Sequence, residues 1–358
     1  MIILKERFKD LKEANLPNSE ETAKKYGHKT LIKLYYNENK FLPSPKVKEG
    51  IELKSPNIYP EYKEPKLMKK LSDVFNMSED HFYFSNGSDA ILDAIPTLFA
   101  SESKENNIVL PSLTFGRIET TALVNDIPVK KIGLVDGLID LDKMYEAIDG
   151  NTSIIYIVNP NMPTGKVNSH KKIMEFLEKV NDQVLVVIDE AYGEYAFGFE
   201  ENYKNNKEII EKFDNVIITH TLSKIYALGS FRVGYMITRP YITDLFRKAY
   251  QYLPVNKYSL QAAIAAISDR DYYEKILKII NNEKERYYKT LDDLNIKYYK
   301  SHGNFVYVYI DDNKSFEEFL VSKYAVLIRS VRNNAIRITI GTPEENDLVI
   351  KALKEYYA

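Results

Sequence analysis

The sequence predicts an α/β protein in which a large domain with a mostly parallel sheet precedes a smaller α+β domain. Two observations carry this prediction. Between residues 81 and 238, apolar runs alternate with helical segments, and several runs are continuously apolar, as in strands covered by helices on both faces. After about residue 245, two helical segments lead into short mixed elements. We expect an N-terminal arm over residues 1–40, a large domain over 41–245 and a small domain over 246–358.

The elements of the large domain follow in a regular order. The predicted strands are HFYF, NIVLP, IPVKKI, SIIYIVNP, QVLVVIDEAY, NVIITH and VGYMIT. The predicted helices are SDAILDAIPTLFA, FGRIETTALVN, LDKMYEAI, HKKIMEFLEKV and KEIIEKF. In the small domain, the helical stretches SLQAAIAAIS and YYEKILKIINNEKERYYKTLDDL lead into a set of strands with a few helices, from IKYY to PEENDLVIKALKEYY.

The composition excludes several classes of function. The chain has 358 residues and a net charge of −2, so no basic surface for nucleic acid is expected. It has no cysteine, which excludes disulfides, thiol catalysis and cysteine metal sites. The five histidines show no metal-binding spacing, and no apolar segment is long enough to cross a membrane. We expect a cytoplasmic protein without a metal.

Polar residues follow the predicted strands at their carboxyl ends, where open α/β sheets bind ligands. Asn159, Asp189 and Lys224 each follow an apolar run. Asp189 and Lys224 allow two interpretations. They either form an ion pair, or the lysine amine forms a Schiff base with a carbonyl cofactor while the carboxylate keeps a pyridinium nitrogen protonated.

A second set of residues suggests a phosphate site. Gly87, Ser88 and Asp89 stand at the start of a predicted helix, where free N–H groups favour an anion, although Ser and Asp are also ordinary helix caps. The remaining members are two hydroxyl residues that flank Lys224 and one arginine: Thr221, Ser223 and Arg232. Together they are consistent with one phosphate beside a lysine.

Eight motifs in order resemble the histidinol-phosphate aminotransferase family of fold-type I pyridoxal-phosphate enzymes, within the class I/II aminotransferases. They are YYNENKFLPSP, IYPEY, SNGSDA, NPNMPTG, DEAYGEYAF, TLSKIYALGSFRVGY, GNFVYV and RITIGTPEEND, and they span nearly the whole chain. The resemblance implies a large domain with a seven-stranded type of sheet, and pyridoxal 5′-phosphate as cofactor.

The resemblance implies roles for the residues that surround the cofactor ring. Lys224 would form the internal aldimine and later carry the proton that moves during the reaction. Asp189 would keep the ring nitrogen protonated, Tyr192 would donate to the phenolic oxygen, and Phe115 would stack on the ring.

Further roles follow for the phosphate and the substrate. The implied phosphate ligands are Gly87, Ser88, Asp89, Thr221, Ser223 and Arg232, with Tyr59 reaching the phosphate from the other subunit of a homodimer. The implied substrate contacts are Arg337, which would clamp a carboxylate, Asn304 and Asn37, with Arg329 and Arg332 adding charge for a phosphorylated substrate.

One departure from the family concerns cofactor electronics. Met162 stands where the family has an asparagine that donates to the phenolic oxygen, and its thioether has no donor. Asn161 beside it is the residue that could compensate, so we include it among the cofactor contacts.

The expected function is amino transfer from histidinol phosphate to 2-oxoglutarate, giving glutamate, in histidine biosynthesis. The alternatives are an aminotransferase for aromatic amino acids, a decarboxylase of a phosphorylated amino acid, and a cofactor-binding scaffold without turnover. Sequence cannot separate amino transfer from decarboxylation, because the bond that breaks depends on how the substrate is oriented against the cofactor.

Overall fold

The strands of the computed structural model form a seven-stranded sheet, a five-stranded sheet and a two-stranded hairpin. The structure describes residues 6, 8, 18–61, 64–100, 105–250, 255–331 and 334–358. The strands are β1 (Ile32–Leu34), β2 (Phe82–Asn86), β3 (Asn107–Pro111), β4 (Val129–Ile132), β5 (Leu134–Val135), β6 (Leu138–Ile139), β7 (Thr152–Val158), β8 (Leu185–Asp189), β9 (Val216–Thr221), β10 (Val233–Thr238), β11 (Tyr298–Tyr299), β12 (Phe305–Tyr309), β13 (Val326–Val331) and β14 (Ala335–Thr339).

Helices lie between these strands. They are α1 (Ser19–Lys25), α2 (Pro45–Gly50), α3 (Pro65–Phe75), α4 (Ser88–Phe99), α5 (Arg117–Val124), α6 (Leu141–Glu146), α7 (His170–Leu177), α8 (Gly193–Lys212), α9 (Pro240–Ala249), α10 (Lys257–Ile267), α11 (Arg270–Asp293), α12 (Asn313–Tyr324) and α13 (Pro343–Tyr356), with short 3₁₀ turns at Glu79–His81 and Gly229–Phe231. None of the helices in the described ranges is both long and apolar enough to span a bilayer.

The seven-stranded sheet has the order β2-β10-β9-β8-β7-β3-β4, and only β10 runs antiparallel to its neighbours. Alternate residues of a strand pack on opposite faces. In β7, Ile155 and Ile157 contact one apolar cluster, while Tyr156 and Val158 contact the other. Because both faces are buried, the strands read as continuous apolar runs, and the predicted α/β class with a mostly parallel sheet is confirmed.

The five-stranded sheet has the order β1-β13-β14-β12-β11 and belongs to the C-terminal half of the chain, except for β1. Residues Ile32–Leu34 pair in parallel with Val326–Ile328. Leu34 is fully buried in this sheet, so part of the predicted N-terminal arm over residues 1–40 contributes to the core. The domain boundaries otherwise stay a prediction.

Candidate active site

A cleft of about 450 Å³ lies beyond the carboxyl ends of β7, β8 and β9. We use "the cleft" for this cavity alone. Its lining residues are Tyr35, Tyr36, Asn37, Ser88, Asp89, Phe115, Val158, Met162, Asp189, Ala191, Tyr192, Thr221, Ser223, Lys224, Arg232, Arg329 and Arg337. The residues come from both sheets and from the segment after β1, so the cleft lies where the two sheets meet.

Lys224 enters the cleft from the turn that follows β9. Its Nζ donates to the Tyr36 carbonyl at 3.1 Å and lies 5.7 Å from the centre of the Tyr192 ring. No ion pair within 4.0 Å joins Lys224 to Asp189, although both residues lie in the described part of the chain. The geometry therefore does not favour the ion-pair interpretation, and the amine faces the cleft.

Asp189 ends β8 and is buried at the base of the cleft. The Tyr156 hydroxyl donates to Asp189 Oδ2 at 3.0 Å, and the Ala191 N–H donates to Oδ1 at 3.1 Å. The pKa of Asp189 is raised to about 6, chiefly by burial and to a smaller extent by the Asp89 carboxylate, against the lowering effect of the hydrogen bonds from Tyr156 and Ala191. At neutral pH the carboxylate is therefore ionised and held by two donors.

An anion cradle lies at the start of α4. Gly87 precedes this helix with φ 76° and ψ 161°, a conformation that is essentially restricted to glycine. A Cβ atom on Gly87 would lie 2.5 Å from Arg232 Nη2, so only glycine lets the guanidinium approach the helix N-terminus. Gly234 is equally constrained, because its Cβ would lie 2.2 Å from the Ser88 nitrogen.

Arg232 supplies the positive charge of this cradle. Its Nη1 donates to Ser223 Oγ at 3.3 Å, and its Nη2 lies 3.2 Å from an Asp89 oxygen. The helix N-terminus, the guanidinium and the hydroxyl of Ser223 therefore converge on one edge of the cleft. Such a donor set suits a phosphate group.

Tyr192 also lines the cleft and is oriented by Asn37. The Asn37 amide donates to the Tyr192 oxygen at 2.8 Å, which leaves the Tyr192 hydrogen available to another acceptor. Asn37 is itself held by the Asn304 amide, which donates to the Asn37 carbonyl at 3.0 Å.

Two arginines line the cleft from β13 and β14. Arg329 and Arg337 are directly paired across β13 and β14. The pKa of Arg337 is lowered to about 10, chiefly by burial and to a smaller extent by the neighbouring positive charge of Arg329. Arg337 Nη1 contacts the Met162 sulfur at 2.9 Å, its Nη2 donates to the Tyr35 carbonyl, and its buried Nε has no hydrogen-bond partner. This side of the cleft is built for an anion.

The family assignment rests on a match over most of the chain. The family model described as "Aminotransferase class I and II" matches residues 29–353. The chain belongs to the class I and II aminotransferases.

Relatives and solved structures agree with this assignment. The chain is 33% identical to a histidinol-phosphate aminotransferase of Anoxybacillus flavithermus, over 93% of this chain and 91% of the relative. It is 32% identical to histidinol-phosphate aminotransferase 1 of Bacillus cereus, over 94% and 92%. Its fold is similar to the crystal structure of histidinol-phosphate aminotransferase from Sinorhizobium meliloti in complex with pyridoxal 5′-phosphate, with a TM-score of 0.87 and 24% identity over 99% of this chain and 97% of that one.

The aminotransferases of this family use pyridoxal 5′-phosphate, and the cleft fits that cofactor. The cradle at Gly87 and Arg232 suits its phosphate, and the ionised Asp189 suits a protonated ring nitrogen. Lys224 provides an amine in the same cleft. The predicted cofactor and enzyme class are therefore confirmed.

The structure brings most of the predicted site residues of the aminotransferase together, but not all of them. Asn161 does not line the cleft, because its amide donates to the Leu113 carbonyl and to Thr164 Oγ1 while its oxygen accepts from Thr114. It therefore cannot supply the donor that Met162 lacks.

Gly87 directly precedes the lining residue Ser88 but does not line the cleft itself, and three further predicted residues lie elsewhere or outside the described residues. Asn304 is fully buried and reaches the site only through Asn37. Tyr59 is 83% exposed and lies in a separate surface depression with Pro60 and Asn86, so its role in a partner subunit stays a prediction. Arg332 lies outside the described residues.

Sequence reasoning missed Tyr36 and Tyr156. Tyr36 contacts Lys224 through a backbone carbonyl, an atom that every residue type carries, so no sequence signal marks it. Tyr156 is a hydroxyl-bearing residue within an aliphatic strand, three residues before the NPNMPTG motif. A polar group in a doubly buried strand needs a partner, and that requirement is the signal that could have identified it.

Proposed function

We propose that this aminotransferase transfers the amino group of histidinol phosphate to 2-oxoglutarate. The observation that carries the proposal is the arginine pair, Arg329 and Arg337, which faces the cleft from adjacent strands. Histidinol phosphate carries a phosphate, and 2-oxoglutarate and glutamate carry a second carboxylate. One pair of cationic side chains can serve both substrates in turn, because guanidinium groups bind carboxylate and phosphate through paired hydrogen bonds. The names of the relatives support the same substrate.

The residues of the cleft supply binding, orientation and proton transfer. Pyridoxal phosphate, when bound, supplies an electron sink that stabilises negative charge on the substrate carbon. Lys224 would provide the amine that attaches the cofactor and, once free, would accept and return a proton at its Nζ. The Asp189 carboxylate would hold a proton on the ring nitrogen, and Tyr192 would donate its hydroxyl hydrogen to the phenolic oxygen, because Asn37 leaves that hydrogen available.

The test is amino transfer by the purified holoprotein, with glutamate measured as product. We expect histidinol phosphate and 2-oxoglutarate to give glutamate, with kcat/KM for histidinol phosphate about 100-fold above that for histidinol. The difference reflects the lost charge-assisted hydrogen bonds to phosphate, worth about 3 kcal/mol at the arginine pair.

Other outcomes would identify the alternatives. A kcat/KM for phenylalanine above that for histidinol phosphate would indicate an aromatic aminotransferase. Carbon dioxide release from a phosphorylated amino acid, without glutamate, would indicate a decarboxylase. No change in cofactor absorbance with any amine would favour a scaffold. A homodimer with Tyr59 at the partner's phosphate site and a cytoplasmic location are further parts of this proposal.

A further inference from the structure

Tyr156 is a fully buried tyrosine in the central strand β7, and its hydroxyl reaches the Asp189 carboxylate. Val158 is the direct neighbour of Asp189 across β7 and β8. Tyr156 lies two residues before Val158 and therefore on the same face of the sheet. Two residues of a strand span roughly 6.6 Å, a distance that a tyrosine side chain can cover along the sheet. Strand register alone thus places the hydroxyl at the carboxylate.

Tyr156 is the donor in this hydrogen bond, because its phenol keeps the hydrogen and an ionised carboxylate can only accept. Burial and the nearby Asp189 charge raise the pKa of Tyr156 well above 10, so the phenol keeps its hydrogen at any pH at which the protein works. Asp189 is ionised at neutral pH and can only accept. Of the hydrogen bonds that lower the pKa of Asp189, the one from Tyr156 contributes most.

Tyr156 does not itself line the cleft, whereas Asp189 does. Tyr156 belongs to the apolar cluster on this face of the sheet, which also contains Val158 and Val187. A phenylalanine would fill the same space, so packing alone does not require the oxygen. A buried hydroxyl is costly unless it is paired, and here its partner is the carboxylate of the active site.

We propose that Tyr156 is a positioning residue that holds the Asp189 carboxylate ionised and oriented, so that Asp189 keeps the ring nitrogen of the bound cofactor protonated. The proposal rests on the pyridoxal-phosphate assignment and does not depend on which amine the enzyme uses. Without the Tyr156 hydroxyl, Asp189 would be more easily protonated and would be held at Oδ1 alone, by the Ala191 N–H. A neutral carboxyl group binds a pyridinium nitrogen less strongly than a carboxylate does.

The test compares two ligands on Tyr156→Phe apoprotein: pyridoxal phosphate, and an analogue in which C–H replaces the ring nitrogen. The affinity for pyridoxal phosphate divided by the affinity for the analogue reports the contribution of the ring nitrogen, because both ligands carry the phosphate and the aldehyde. We expect the ratio to fall about tenfold in Tyr156→Phe relative to wild type, as for the loss of one hydrogen bond to a charged group. Affinity for the analogue should stay within about twofold of wild type.

Tyr287→Phe is the matched control. Tyr287 is also fully buried, and its hydroxyl donates to Asn346 Oδ1 at 3.2 Å in the small domain. This variant loses one buried hydroxyl and one hydrogen bond, as Tyr156→Phe does, but it should keep the wild-type ratio. If the two variants lower affinity for both ligands equally, Tyr156 has only a structural role.

The pH dependence of cofactor binding gives a second readout. In Tyr156→Phe, the pH below which pyridoxal phosphate binding weakens should move upward by about one unit, because the carboxyl group has lost a donor. An unchanged ratio together with an unchanged pH midpoint would overturn the proposal while leaving the cofactor assignment intact. Failure of the wild-type protein to bind pyridoxal phosphate would overturn both.

Discussion

Gly87→Ala tests the anion cradle, because the change adds one methyl group where the Arg232 guanidinium approaches the helix. The added Cβ would lie 2.5 Å from Arg232 Nη2, closer than any non-bonded contact of this kind allows. Arg232 must then move away from the N-terminus of α4. The side chain can do so, because 44% of it is exposed and its partner Asp89 is also at the surface.

Two separate effects follow from this change, one on the stability of the apoprotein and one on the affinity for the cofactor. An alanine at φ 76° and ψ 161° is strained, which should lower the free energy of unfolding of the apoprotein by about 1–3 kcal/mol. Displacement of the guanidinium removes charge-assisted hydrogen bonds to the cofactor phosphate, worth about 1.5–3 kcal/mol. The affinity for pyridoxal phosphate should therefore fall about 10- to 100-fold.

Gly198→Ala separates the two effects. Gly198 lies at a kink in α8 with φ 73° and ψ 177°, and a Cβ there would meet no atom within 4 Å. The backbone strain is the same as at Gly87, but no guanidinium is displaced. Urea unfolding of both apoproteins should show similar losses of stability, whereas spectroscopic titration with pyridoxal phosphate should show weaker binding only for Gly87→Ala. Equal cofactor affinity in the two variants would refute the cradle.

Three other predictions concern the arginine clamp, the ring oxygen and a buried acid. Arg337→Lys should lower kcat/KM for both substrates about 100-fold in steady-state assays, with cofactor affinity within about threefold of wild type, because lysine cannot bind a carboxylate through two parallel hydrogen bonds. A loss of cofactor affinity as large as the loss of kcat/KM would contradict a role of Arg337 in binding the substrates. Met162→Asn should lower the pH midpoint of the colour change of the bound cofactor by about one unit, since a donor then stabilises the phenolate; an unchanged midpoint would contradict it. Burial raises the pKa of Glu194 from 4.5 to about 8, so the folded apoprotein holds a proton that the unfolded chain has released, and stability falls as pH rises. In urea unfolding, Glu194→Gln should make the free energy of unfolding fall less steeply between pH 6.5 and 8. This window avoids the opposite effect of His220, whose pKa is lowered to about 3 by burial, so that its protonation changes stability only at lower pH. An equally steep fall in the variant would contradict the prediction.

The sequence predicts the fold and the centre of the site for one physical reason. The strands of a parallel sheet end at one edge, so residues that follow neighbouring apolar runs must lie close together. Asp189 and Thr219 are direct neighbours across β8 and β9, which brings Lys224 to the same edge. The predicted strand and helix order of the large domain followed from the same periodicity.

The segment after β1 could not be placed by such reasoning. β1 has only three residues, too few to show a period, and it is held by pairing with residues almost 300 positions later. Its position nevertheless determines where Asn37 meets Tyr192. The pairing of a short strand with distant residues forms only in the folded chain, and the local sequence pattern does not predict it.

The predicted contact of Asn161 with the cofactor finds no support in the geometry, because other protein groups already engage its side chain. Asn161 lies beside Met162 in the sequence, yet its amide and oxygen are all engaged within the loop and with Leu113 and Thr114. Adjacent residues of a loop point in different directions, so proximity in sequence does not allow one to replace the other. Of the two, the structure brings only Met162 to the cleft, against Arg337.

The most direct test of the account is to find which lysine carries the cofactor. The holoprotein would be reduced with borohydride, digested and mapped by mass spectrometry, with Lys224→Ala as control. We expect the reduced cofactor on the peptide that contains Lys224, and none in the variant. A reduced cofactor on any of the other lysines, or none on the wild-type protein, would contradict the assignment of this cleft as the active site.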